Sequence, residues 1–222
     1  MNTTLNLSAG GLQPYDEYLQ GSVFHTLLYT VFQKPRDADS SGMVVAIGSP
    51  NPGEGVTYVA RALLHQLGKC EVNSIAGVSM SFLRKLHEPT LEAIKSSLHA
   101  AACDSGGNSR AISRPGRVGK LVTEEGHGPW EGSWQYRRDC IDLLRSEFDY
   151  SIIDCPSLRT SGDLLSIAPF VDGVLLVIEA NRTRRDEPRK AEQSVVAAGG
   201  KLLGYILNKR TYAMPAWLDR ML

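Results

Sequence analysis

Three short stretches carry residue types that can do chemistry. At 52–57 the chain reads PGEGVT, that is Pro52, Gly53, Glu54, Gly55, Val56 and Thr57. Gly53 and Gly55 let the backbone come close to a ligand. The N–H groups of a helix start just beyond them favour an anion such as phosphate. At 150–154 the apolar run YSIID ends in Asp154. A carboxylate at a strand end beside a phosphate-binding loop is placed to help hold Mg2+. At 201–208 a third run, KLLGYILN, closes on Asn208, near the same edge.

The phosphate-loop motif is G-x-x-x-x-G-K-[ST], in which the lysine reaches the β- and γ-phosphates and the hydroxyl holds Mg2+. Gly55 and Thr57 match it, whereas Val56 stands at the lysine and Pro50 at the first glycine. The loop keeps its form and loses its charge. A charge-assisted hydrogen bond contributes roughly 1.5–3 kcal/mol, so ATP and Mg2+ are expected to bind weakly, by about one to two orders of magnitude. The transition-state loss is larger, because phosphoryl transfer depends on stabilising developing charge. Arg84, Lys85 and Arg159 are basic residues able to swing in as substitutes, although solvation is the commoner role for such side chains. Two roles stand side by side for Thr57, Mg2+ ligand or cap of the following helix. Asp154 is either a metal-ligand remnant and the one catalytic candidate, or an anchor for the loop.

The elements that must position these residues follow from periodicity. Residues 43–47 form an apolar run, and Val59, Leu63, Leu64 and Leu67 then recur at helical spacing up to Gly68. Strands are expected at 71–78, 121–123, 150–154, 173–178 and 201–207. Helices are expected at 22–33, 88–101, 133–146, 161–168 and 184–198. Alternating strands and helices predict an α/β fold: a doubly wound, mostly parallel sheet with helices on both faces and the ligand edge at the strands' carboxyl ends. Residues 1–20 read as a flexible tail, 21–212 as a single domain and 213–222 as a short helical tail able to dock on the core or on a membrane surface.

Composition narrows the classes. Lys and Arg number 24, as do Asp and Glu, so no global basic field draws the chain to nucleic acid or acidic lipid. No run of 18 apolar residues and no leader pattern is visible. Cys70, Cys103, Cys140 and Cys155 form no C-x-x-C pair, and the five histidines show no metal spacing. Asp163 and Asp172 read as a helix-start charge and a turn residue. The arginines at 182, 184, 185 and 189 read as a solvated helix face by default, with binding to acidic lipid or an acidic partner as the other reading.

PGEG at 52–55, FDYSIIDCPS at 148–157, DLLSIAPFVDGVLLVIEANRTR at 163–184 and GYILNKR at 204–210 occur in this order. Together they make residues 23–212 resemble the bacterial tyrosine-kinase family of capsule and exopolysaccharide biosynthesis, a branch of the MinD/ParA-like phosphate-loop ATPases. The resemblance implies ATP and Mg2+ as ligands, a base contact by Asn208 (a turn role is as good) and assembly into a homo-oligomeric ring. It implies a membrane-embedded polysaccharide co-polymerase or chain-length regulator as partner, and a cytoplasmic place at the inner face of the cell membrane. Family members have Lys after PGEG, where this chain has Val56. Ala76 and Val78 stand where the family carries two aspartates after its second strand. Ser22, His25 and Leu28 replace the E-x-x-R-x-x-R assembly pattern, and a tyrosine-rich tail is absent, only Tyr205 and Tyr212 lying near the C-terminus. Two readings result. One is a catalytically impaired regulatory module of polysaccharide synthesis and export, and the other an active tyrosine autokinase or MinD-like ATPase of the same system.

Overall fold

The structure, a computed structural model, describes residues 3–8, 26–32, 41–68, 74–85, 121–122 and 134–210. Its strands are β1 (Thr3–Ser8), β2 (Met43–Gly48), β3 (Ile75–Ser79), β4 (Leu121–Val122), β5 (Tyr150–Asp154), β6 (Gly173–Glu179) and β7 (Leu202–Arg210). Its helices are α1 (Val56–Leu67), α2 (Met80–Lys85), α3 (Trp134–Glu147), α4 (Asp163–Ile167) and α5 (Asp186–Ala197). A π-helical turn, Leu28–Phe32, precedes β2.

All seven strands pair in parallel, in the order β1-β7-β6-β2-β5-β3-β4. The central strands are near-continuous apolar runs, as a sheet covered on both faces requires. Alternation along β2 divides the core. Val44 and Ala46 point to one layer with α2, α3, α4 and α5, through Leu83, Ile141, Leu144, Leu164 and Val195. Val45 and Ile47 point to the other with α1 and the π-helical turn, through Val59, Leu63, Leu64, Val31 and Phe32. The expected doubly wound fold is therefore present, with helices on both faces.

Helix α1 follows its sequence pattern: Val56, Val59, Ala60, Leu63, Leu64 and Leu67 form one buried stripe. Tyr150 locks the π-helical turn, its hydroxyl donating to Phe32 O at 2.6 Å and its ring meeting Phe32 edge-on at 5.7 Å. Asp172 is more than a turn residue. Its Oδ2 accepts Val44 N–H at 2.7 Å and faces the Arg145 guanidinium at 3.4 Å.

Three expectations are corrected. Thr3–Ser8, read as part of a flexible tail, forms edge strand β1 on β7, with Thr3 opposite Gly204 and Leu5 opposite Ile206. Backbone pairing is indifferent to side-chain polarity, so a polar TTLNLS segment can still extend a parallel sheet. The strand at 173–178 gains Glu179, and that at 201–207 runs instead from Leu202 to Arg210. The helix at 88–101 and the tail at 213–222 lie outside the described residues.

Candidate functional site

Residues 49–55 connect β2 to α1 at the carboxyl edge of the sheet. Gly53 and Gly55 adopt left-handed backbone, with φ of 82° and 94°. A Cβ at Gly55 would collide with Asn208 Nδ2, so this position requires glycine for space as well as for conformation. Gly55 is the residue before α1, and no side chain caps that helix start. The cap role considered for Thr57 is thus not the one taken.

Thr57 instead donates from Oγ1 to Asp154 Oδ2 at 2.7 Å, tying the first turn of α1 to the end of β5. Asp154 is 8% exposed. Burial raises its carboxyl to about 6, opposed by the Thr57 hydrogen bond and the nearby Arg61 charge. Behind it the Cys155 thiol is fully enclosed and pushed well above the ordinary thiol range, chiefly by burial, which leaves it unreactive. Burial likewise raises Cys140, to about 11.

Val56, at the lysine position of the motif, is 9% exposed and belongs to the apolar layer beneath α1. Glu54 is also buried, at 2% exposure. Its Oε2 accepts the Asn51 N–H at 2.9 Å and its Oε1 accepts the Thr183 hydroxyl, so its carboxylate serves the loop itself. Asn51 Nδ2 donates to Glu187 Oε2 at 3.1 Å, joining the loop to the first turn of α5. On a second side, Leu158 N–H donates to Ser49 O at 2.8 Å and Arg159 N–H to Pro50 O at 3.2 Å. On the third, Asn208 Nδ2 donates to Glu54 O at 2.9 Å and Lys209 Nζ to Gly53 O at 2.6 Å. Pro52 and Gly53 remain exposed at the loop tip.

Pro52, Gly53, Glu54, Gly55, Val56, Thr57, Asp154 and Asn208 thus lie together at one edge of the sheet. The side chains of two of them serve the loop itself. Asn208 is buried and one donor of its amide clamps the loop backbone. Glu54 offers a cofactor only its backbone, because its carboxylate is enclosed. Arg84 is also no free cation: its guanidinium pairs with Asp163 and donates to Ser161 Oγ at 3.1 Å. The side chain of Lys85 lies outside the described residues.

On β3, Ala76 and Val78 are wholly buried in the core. Ser79 is the residue in register with Asp154. Its Oγ accepts the Phe82 N–H at 3.2 Å and lies 3.0 Å from Ser81 Oγ, so hydroxyls occupy this edge. Sequence reasoning missed Ser79, Thr183, Glu187 and Lys209. Only Lys209, adjacent to Asn208, carried a usable signal. Among the described residues no His/Cys/Asp/Glu group is arranged to hold a metal, and no helix is long and apolar enough to cross a membrane.

No family model matches the chain. Among curated proteins it is similar to tyrosine-protein kinase CpsD of Streptococcus agalactiae serotype Ia, 36% identical over 84 residues, which are 38% of this chain and 36% of that protein. It is also 38% identical over 69 residues to the succinoglycan biosynthesis transport protein ExoP of Rhizobium meliloti, covering 31% of this chain and 9% of that one. The chain thus spans about a third of the length of the first relative and far less of the second. Among solved structures, the chimerical protein CapA2B2 aligns with a TM-score of 0.62 at 19% identity, over 95% of this chain and 96% of that one. The kinase domain of Escherichia coli tyrosine kinase ETK aligns with a TM-score of 0.57 at 14% identity, over 96% and 93%. The α/β architecture is accordingly that of phosphate-loop ATPase-like folds, shared with the ETK kinase domain, and about a third of the sequence is similar to part of a tyrosine-protein kinase and of a succinoglycan biosynthesis transport protein.

Proposed function

We propose that this chain is a capsule or exopolysaccharide tyrosine-kinase relative that has lost phosphoryl transfer and acts as a regulatory module of polysaccharide synthesis and export. It works at the cytoplasmic face of the cell membrane, docked on a membrane-embedded co-polymerase or chain-length regulator. ATP and Mg2+ bind it weakly. The observation that carries the reading is the placement of Val56, packed in the apolar layer where the motif requires a cation. Hydroxyls rather than carboxylates at the end of β3 support it further. Partial similarity to CpsD and to ExoP supports the polysaccharide setting.

One observation favours the alternative, an active autokinase: the Thr57–Asp154 pair is intact, and those two groups would hold Mg2+ if nucleotide bound. Phosphate release and phosphotyrosine formation, measured on purified chain with and without the reconstituted membrane partner, separate the two readings. The impaired module shows neither above background. Turnover at about 1 s−1 or faster, as in ordinary kinases, abolished by Asp154→Ala, would overturn it.

A further inference from the structure

We propose that Lys209 supplies the positive charge missing at Val56 and takes the phosphate chain of a nucleoside di- or triphosphate laid on the loop. The inference rests on reading residues 50–57 as a phosphate loop. It deepens that reading by assigning the residue on which the weak nucleotide affinity depends.

Lys209 is aimed by its neighbour. Asn208 is fixed at both ends of its amide, Nδ2 on Glu54 O at 2.9 Å and Oδ1 on the Lys209 N–H at 2.9 Å. The backbone then turns left-handed at Lys209, with φ of 55°, a conformation uncommon outside glycine. Past that turn the side chain lies over the loop. Nζ donates to Gly53 O at 2.6 Å and to Glu179 Oε2 at 3.1 Å.

Neither partner saturates the ammonium. Gly53 O is a neutral acceptor on an exposed loop tip, and a lysine has three donors. Glu179 is shared, since its Oε2 also faces Arg182 Nη1 at 3.3 Å. Lys209 therefore holds only part of the Glu179 carboxylate, which it divides with Arg182. The Lys209 side chain is 41% exposed. Its flexible four-carbon stem lets it change partner by rotamer alone. A phosphate oxygen, being charged, outcompetes a carbonyl for such a donor. The loop needs this help, because Glu54 already occupies the Asn51 N–H.

The test is fluorescence anisotropy of methylanthraniloyl-labelled ADP with Mg2+ on the full chain, with circular dichroism melting to verify folding. Lys209→Met is expected to weaken binding about tenfold and to flatten its salt dependence. Lys209→Arg keeps the charge and stays within about threefold of wild type. Glu179→Gln releases the ammonium and tightens binding several-fold. Equal binding by wild type and Lys209→Met overturns the inference. So does a loss in Glu179→Gln as large as that in Lys209→Met, which would mean the pair only braces the loop. If wild type fails to bind while Val56→Lys binds, Lys209 is no substitute and the impaired-module reading stands. If neither binds, the loop is no phosphate site, and this inference falls with it.

Discussion

Thr57 Oγ1 lies 2.7 Å from Asp154 Oδ2, and this bond holds a carboxyl that burial would otherwise protonate further. Because folding raises Asp154 to about 6, the folded chain binds more protons than the unfolded chain between about pH 4 and pH 6. The group therefore lowers stability as pH rises through that window, by at most ~3 kcal/mol. Asp154→Asn keeps an acceptor for Thr57 and removes the ionisation. Urea unfolding should find the variant more stable than wild type at pH 7.5 and nearly equal at pH 4. An identical gap at both values would contradict the assignment.

Restoring the motif lysine should separate binding from stability. Val56→Lys is expected to tighten nucleotide about tenfold or more through a charge-assisted contact. It should also destabilise the fold by about 1 kcal/mol, since an apolar side chain leaves the layer under α1 and only part of the lysine stem replaces it. Titration and thermal melting read the two effects separately. Unchanged affinity would show that charge was not what the loop lacked.

Gly55 should tolerate no side chain. Gly55→Ala combines a left-handed backbone with a collision against the Asn208 amide, so a loss of about 2 kcal/mol is expected. Adding Asn208→Ala relieves the collision and not the backbone strain. The double variant should therefore lose less than the sum of the single losses, and strict additivity in denaturant melts would dissociate the two residues.

Arg84 and Asp163 form an ion pair with side chains 15% and 7% exposed. Arg84→Met leaves the Asp163 carboxylate enclosed without its partner and should cost about 3–5 kcal/mol. Arg84→Met with Asp163→Leu should recover most of that loss. A double-mutant cycle with no coupling would show the pair to be ornamental.

Much of this arrangement was legible from residue order. YSIID marked β5 to the residue, because a run this short and rich in aromatic and β-branched residues suits a buried strand better than a helix. The stripe from Val59 to Leu67 marked α1, and Gly53 and Gly55 marked a loop whose backbone can come close to a ligand, while their left-handed conformation came only with the fold. What did not show were the roles of Asn208 and Glu54. Both are polar residues beside a ligand motif, and their type alone suggests contact with a ligand. Their actual partners, Glu54 O for one and Asn51 and Thr183 for the other, come from segments whose approach periodicity does not encode.

Residue order alone determined the central sheet-forming runs, the stripe of α1, the glycine-bearing loop before it and the valine where the phosphate-loop motif has lysine, because these depend on neighbours along the chain. Tertiary structure alone decided that Thr3–Ser8 completes the sheet and that Ser79 rather than Val78 stands beside Asp154. It also decided that Arg84 is committed to Asp163 while Lys209 reaches the loop. Each of these follows from strand register and from the turn at the end of β7, where residues far apart in sequence come within hydrogen-bond reach.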